Sequence, residues 1–250
     1  ADPYPHVVLD DFLPAEIAEG VVEEYAADES TWAHYHHYNQ RKQAITSLEG
    51  MGPRNRELVE ALQSEAFVDF IAEITGLPGL FADPYLDGAG MHRTLPGGHL
   101  NIHTDFLSHP NHDEWSREIN LLIYFNPGWK EEWMGNLELW DRDVKRCARS
   151  VAPLLNRCVI FRTSDISYHG HPQPLVCPDG VTRNSIALYY FQKSSAKLQL
   201  HPTTYRSRPA DSKGKRWLIG FDTLLCRLDS LLRRHGGLRS RWIDRIMKYL

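Results

Sequence analysis

Cysteine is scarce in this 250-residue chain. The four present, Cys147, Cys158, Cys177 and Cys226, are scattered and form no C-x-x-C pair. That argues against a disulfide framework and against a thiolate zinc site, and it points to a reducing compartment. Long apolar runs are missing too, and none reaches the roughly 18–20 residues that cross a bilayer. The opening Ala1-Asp2-Pro3-Tyr4 shows no basic-then-apolar signal pattern, so the expected location is cytoplasmic. There is no internal repeat, no low-complexity stretch and no motif that reads DNA or RNA, so no nucleic-acid partner is expected. Net charge is small as well, at −4 from 28 Lys+Arg against 32 Asp+Glu. That figure conceals a division. Residues 206–250 carry 12 Lys+Arg against 4 Asp+Glu, a net of +8, which leaves −12 on residues 1–205.

What is present is an ordinary globular composition, 42% hydrophobic and 24% charged, and an unusual 13 histidines. The length suits one large domain with appended helices, and the histidines direct attention to metal chemistry. Val7-Val8-Leu9 reads as a strand. A helix follows from near Pro14, with Ile17, Val21, Val22 and Tyr25 as its apolar stripe. Residues 30–53 are polar, aromatic and His-rich and read as loop or irregular strand. Helices are expected over Arg54–Gln63 and Ala66–Thr75, the second ended by Gly76 and Pro78.

From Pro84 to about Gln199 the pattern changes. Short apolar or alternating runs at 89–95, 99–104, 118–126, 136–140, 157–162 and 185–192 are separated by Gly, Pro, Asn and Asp. That spacing predicts an antiparallel sandwich or barrel such as a double-stranded jelly roll. After Pro209 the chain reads as helix again, broken at Gly236-Gly237 and resumed over Arg239–Leu250.

The chemistry concentrates at His103-Thr104-Asp105. Residues two apart on a strand face the same way, so an imidazole and a carboxylate project together. His169, in Ser167-Tyr168-His169-Gly170, is the best candidate for a third ligand from a distant strand, with His171 as its rival. Two histidines and one carboxylate leave open positions on an octahedral metal, enough for a bidentate cosubstrate and dioxygen. Such mixed N/O ligation suits Fe(II) and zinc alike. Fourteen residues beyond His169, Arg183 and Ser185 share a face at the start of a strand. A guanidinium grips a carboxylate through two parallel hydrogen bonds, and a hydroxyl adds a third. That pair suits the far carboxylate of 2-oxoglutarate. Tyr124 is a further donor candidate, although buried strand tyrosines are often structural.

In order and spacing these pieces resemble the Fe(II)/2-oxoglutarate-dependent dioxygenases, within the prolyl-4-hydroxylase-like branch. The matching segments are His103-x-Asp105, Tyr124-Phe125-Asn126, Gly135-x-Leu137-Glu138-Leu139-Trp140, Ser167-Tyr168-His169 and Thr182-Arg183-x-Ser185. The likeness is strong over residues 80–195, and Pro5 to Phe12 also looks like the start of this branch. It selects His169 over His171. It implies an α+β chain with a double-stranded β-helix (jelly-roll, cupin-like) core at about 84–199, flanking N-terminal helices, and a C-terminal helical extension. Residues 1–205 would form the dioxygenase domain and 206–250 the basic extension. It implies Fe(II), 2-oxoglutarate as cosubstrate, O2, and ascorbate as a supporting reductant. His103, Asp105 and His169 would be the catalytic metal ligands, and Arg183, Ser185 and Tyr124 the cosubstrate site. Related halogenases replace the carboxylate by Gly or Ala, so Asp105 favours hydroxylation, with desaturation as another outcome of this chemistry.

The expected reaction is hydroxylation of an unactivated C–H of a small molecule, amino-acid-like or a biosynthetic intermediate. Alternatives are a prolyl hydroxylase acting on a peptide or protein, and a non-catalytic metal-binding jelly-roll sensor. The segment 106–117, just after Asp105, is a candidate lid. The C-terminal helices are a candidate homo-oligomer contact.

Overall fold

The computed structural model describes residues 1–25, 32–198 and 201–236, with side chains to Leu224. The chain opens with β1 (His6–Leu9) and α1 (Ala15–Tyr25), then β2 (Ala33–His37) and β3 (Gln40–Ile45). Helices α2 (Pro53–Gln63) and α3 (Glu65–Thr75) follow. Next come β4 (Phe81–Ala82), β5 (Gly90–Thr94), β6 (His99–Thr104), β7 (Ser108–His109) and β8 (His112–Tyr124). The core continues with β9 (Leu137–Trp140), β10 (Cys147–Val151), β11 (Arg157–Arg162), β12 (His169–His171) and β13 (Arg183–Lys193). It closes on β14 (Thr204–Tyr205) and α4 (Lys213–Gly236). The strands curl into one antiparallel sheet of order β1-β11-β8-β13-β5-β3-β6-β12-β9-β10, the half-barrel of a jelly roll.

Alternation on the central pair β8 and β13 determines where the site lies. Ile119, Leu121 and Ile123, with Ile186, Leu188 and Tyr190 across the pair, face outward and pack on Val21, Leu58, Val59, Leu62 and Ile71 of α1, α2 and α3. Each such buried aliphatic side chain contributes about 1.5–3 kcal/mol. Alternate residues Asn120, Leu122 and Tyr124, and Arg183, Ser185, Ala187 and Tyr189, therefore face inward and line a pocket. Tyr25, at the end of α1, joins the two layers by donating its hydroxyl to the Ser185 and His92 carbonyls.

The helices begin and end for local reasons. The Ser64 hydroxyl caps α3 by accepting the Phe67 amide, and Gly76 closes it at φ +69, in the left-handed region open to glycine. The runs at 99–104 and 157–162 coincide with β6 and β11, and the other strand ends differ from the pattern-based limits by one to several residues. The largest extension is β8, which starts at His112 instead of 118.

One expectation needs correction. Residues 30–53 include a regular hairpin, Tyr35 opposite Lys42, whose β3 inserts between β5 and β6. Its apolar alternation is absent from the sequence because one face of β3 looks into a polar pocket. The candidate lid at 106–117 includes the β7–β8 hairpin, with Ser108 opposite Ser116. At the C-terminal end, β14 pairs with β6, and α4 docks on the β2–β3 hairpin. There Tyr38 donates to the Leu218 carbonyl and Asn39 to Asp222. The helix expected over Arg239–Leu250 lies outside the described residues. No described helix is long and apolar enough to cross a membrane.

Candidate active site

Pairing of β12 with β6 sets His169 directly opposite His103, and Asp105 follows one residue beyond the end of β6. Their ring centroids are 4.5 Å apart. His103 Nε2 lies 3.5 Å from Asp105 Oδ1, and His169 Nε2 lies 3.4 Å from Asp105 Oδ2. One donor atom from each of the three falls within 4.8 Å of the others, and all three residues are buried. The close approach of β12 to β6 depends on the residue between the two histidines of β12. A Cβ at Gly170 would sit 2.7 Å from the Leu100 carbonyl oxygen and 2.8 Å from that of Asn101.

The back of each ring fixes its front. His103 Nδ1 lies 2.9 Å from the Asn101 carbonyl, and His169 Nδ1 lies 2.9 Å from the Ser167 carbonyl. A carbonyl only accepts, so both Nδ1 atoms carry the hydrogen, and both Nε2 lone pairs face the centre. This second layer of hydrogen bonding is what a metal-ligating imidazole requires. Burial lowers the His169 pKa to about 4, so the ring is neutral at pH 7. Burial also opposes the charge on Asp105, but Arg117 and the two imidazoles outweigh it and hold the carboxyl well below its usual range. The donor set, its charge and its tautomers fit a divalent metal of Fe(II) type.

Asp105 is itself held from behind. Asn120 donates to its Oδ2 at 2.6 Å, and an Arg117 terminal nitrogen lies 3.1 Å from the same oxygen. Arg117 also donates to the Asn120 side-chain oxygen. Its guanidinium lies over the Tyr189 ring at 3.2 Å and the Phe106 ring at 4.6 Å. Sequence reasoning misses Arg117 because regular alternation puts residues 117 and 120 on opposite faces. A bulge at Glu118 of β8 itself, where Ile119 pairs with Tyr190 and Arg117 with Phe191, shifts the register and brings both inward. Composition gives no signal of it.

The cosubstrate candidates lie on the neighbouring strands. Arg183 is buried, its Nε donates to the Gly135 carbonyl at 2.7 Å, and its guanidinium sits 3.4 Å from the Tyr124 hydroxyl. Gly135, at φ +81, makes this approach possible, since a Cβ there would meet the Arg183 side chain at 3.1 Å. Ser185 stands opposite Tyr124 in the ladder. Burial lowers the Arg183 pKa. Among the described residues no carboxylate lies within ion-pair distance of Arg183, so it is a buried cation facing a pocket of about 580 Å³. His171 lines the same pocket but stands outside the three-residue group. His99 and Asn101 turn away to brace the hairpin through the Tyr38 carbonyl, while His92 stays in the pocket.

Residues 89–191 match the sequence model of the 2OG-Fe(II) oxygenase superfamily. The likeness is confined to that stretch, which holds His103, Asp105, His169 and Arg183. Enzymes of that superfamily use Fe(II), 2-oxoglutarate and O2. Prolyl 3-hydroxylase OGFOD1 of Mus musculus is 24% identical over 213 residues, 83% of this chain. The chain spans 36% of that relative's length. A Pseudomonas putida prolyl-4-hydroxylase shares the fold with a TM-score of 0.56 at 17% identity, covering 76% of this chain and 94% of that one. HygX from Streptomyces hygroscopicus, solved with nickel and 2-oxoglutarate bound, gives 0.50 at 12% identity over 86% of this chain and 90% of its own.

Proposed function

We propose that the chain hydroxylates an unactivated C–H bond of a small molecule, amino-acid-like or a biosynthetic intermediate. His103, Asp105 and His169 hold Fe(II), and Arg183, with Ser185 and Tyr124, holds the far carboxylate of 2-oxoglutarate. The observation that carries this reading is the convergence of two imidazoles and a carboxylate within 4.8 Å, with both Nε2 lone pairs turned inward. Fe(II) with 2-oxoglutarate supplies O2 activation, coupled to oxidative decarboxylation of the cosubstrate to succinate and CO2. The protein's own residues do the positioning. Asn120 and Arg117 restrain one oxygen of Asp105. The buried Arg183 presents an unneutralised guanidinium to an arriving carboxylate, an interaction strengthened by exclusion of water.

The small-molecule reading is supported by what stands around the pocket. Tyr35 and His37 of the β2–β3 hairpin, Pro202, Thr203, Tyr205, and Asp222 of α4 all line it, and the cosubstrate shares its 580 Å³. A second reading, hydroxylation of a prolyl residue in a peptide or protein, is favoured by the names of the mouse relative and the Pseudomonas enzyme. Substrate-stimulated succinate formation tests both, using amino acids, biosynthetic intermediates and prolyl peptides. Stimulation by a small molecule is expected, and stimulation by peptides alone overturns the first reading. A non-catalytic sensor forms no succinate and gives no visible charge-transfer band with anaerobic Fe(II) and 2-oxoglutarate.

A further inference from the structure

Three cationic side chains face the pocket, Lys42, Arg117 and Arg183. Arg117 is engaged with Asp105 at 3.1 Å, and Arg183 is assigned above to the cosubstrate. Lys42 has no such assignment. It projects from β3 with its Nζ 3.2 Å from His92 Nδ1 and 5.8 Å from the centroid of the Tyr35 ring. Neither neighbour neutralises it, and no described carboxylate lies within ion-pair distance. Burial lowers its pKa to about 8; Asp105 opposes this, while Arg183 and Arg117 add to it. The ammonium thus remains mostly protonated at pH 7, a charge without a counter-ion.

A second observation points to a missing ligand. His171 is buried on the pocket wall, and its Nδ1 has no hydrogen-bond partner. Buried polar atoms in folded proteins are almost always paired, and an orphan in the same pocket as an unmatched ammonium marks space for a polar group.

The surroundings restrict the chemistry of that group. Phosphate sites draw on forked guanidinium groups, helix N-termini or nests of free backbone N–H groups. Lys42 lies in the middle of a strand, opposite Tyr35 of β2, while its neighbours on β3 pair with β5 and β6. No helix starts there. One ammonium and one imidazole nitrogen without a partner match a single carboxylate.

We propose that Lys42 anchors a carboxylate of the oxidised substrate, which is therefore a small carboxylic acid and not an internal residue of a peptide. This rests on the oxygenase reading and narrows it. The test uses the full chain with anaerobic Fe(II) and 2-oxoglutarate. The probes are the proteinogenic L-amino acids, their carboxamides, and a proline peptide blocked at both ends. Binding is measured by calorimetry, so no turnover is needed. At least one free acid is expected to bind about tenfold or more tighter than its carboxamide. Lys42→Met should remove that gap while 2-oxoglutarate affinity is retained, and Lys42→Arg, which keeps the cation, should restore part of it. The proposal is overturned if no free acid outbinds its amide, if the blocked peptide binds tightest, or if Lys42→Met weakens 2-oxoglutarate instead. A missing charge-transfer band in the unmodified protein sinks the oxygenase reading itself. A normal band without an acid-to-amide gap sinks only the role of Lys42.

Discussion

Two clusters of the same residue types lie in this molecule, and the hydrogen bonds behind their imidazoles separate them. His103, Asp105 and His169 form one; Asp83, Asp87 and His109 form the other, and either set could hold an ion by distance alone. At the first, both Nδ1 atoms donate to carbonyls, which leaves Nε2 as a lone pair. At the second, the Asn111 amide donates to His109 Nδ1 at 3.1 Å. A neutral ring whose Nδ1 accepts must carry its hydrogen on Nε2. That atom faces Asp87 at 3.2 Å and Asp83 at 3.6 Å, so the ring offers the carboxylates a hydrogen and no lone pair. The Asp83 oxygens already accept the Tyr85 and Asp87 amides, and Asp87 accepts the Asn111 side chain. His109 Nε2 lies near both carboxylates but in hydrogen-bond geometry with neither, and the cluster ties the 83–87 turn to the β7–β8 hairpin. Proximity of ligand-type residues is therefore a weak criterion, and the tautomer set by the backbone is a stronger one.

The same substitution in each cluster gives the widest contrast. Asp105→Ala should reduce Fe(II)-dependent succinate formation by at least about 100-fold, the upper range seen when mere outer partners of a ligand are lost. Asp87→Ala should leave it within about twofold, since it is no ligand and its carboxyl is partly exposed. Iron content and turnover measured together check both, and equal losses would erase the distinction.

Arg183→Ala comes next. Removing a charge-assisted pair of hydrogen bonds should raise the 2-oxoglutarate KM by about 10–100-fold while iron still binds. An unchanged KM would place the cosubstrate elsewhere. Asn120→Ala frees one oxygen of Asp105, and such partners carry about tenfold in metal affinity or activity. Competition with a chelator reads that directly. Normal affinity would mean that Arg117 alone suffices to hold the carboxylate.

The sequence made His103, Asp105, His169, Arg183, Ser185 and Tyr124 legible because each obeys a local rule: same-face spacing on a strand, in the order of a resembled family. The structure brings all six to one pocket. The outer helices and most core strands were legible for a similar reason, since their apolar periodicity faces a single layer. What stayed hidden depends on long-range pairing. Strand β3 has Lys42 and Gln40 looking into a polar pocket, so it carries little hydrophobic signal. Arg117 reaches Asp105 only through a bulge at Glu118, which shows once β8 is paired with β13. The tautomers depend on which carbonyl or amide stands behind each ring, and no spacing encodes that.

His109→Ala is the mildest test at the proposed iron centre and the most direct at the second cluster. The ring is fully buried, and its removal leaves a cavity beside Tyr85, His112, Trp115 and Phe191, whose rings pack on it with centroids 5.0–6.1 Å away. It also leaves Asp83 facing that space without its imidazole neighbour. A loss of about 2–4 kcal/mol of stability is expected, as for other buried truncations that also break polar contacts. For a chain of this size that lowers Tm by several degrees. Iron should still bind at one per chain, because Asp105 and its two histidines are braced through β6, β8 and β12 and make no contact with His109. If iron falls below one per chain while the protein stays folded, the second cluster is not merely a tie, and the tautomer criterion fails at the site where it was most sharply applied.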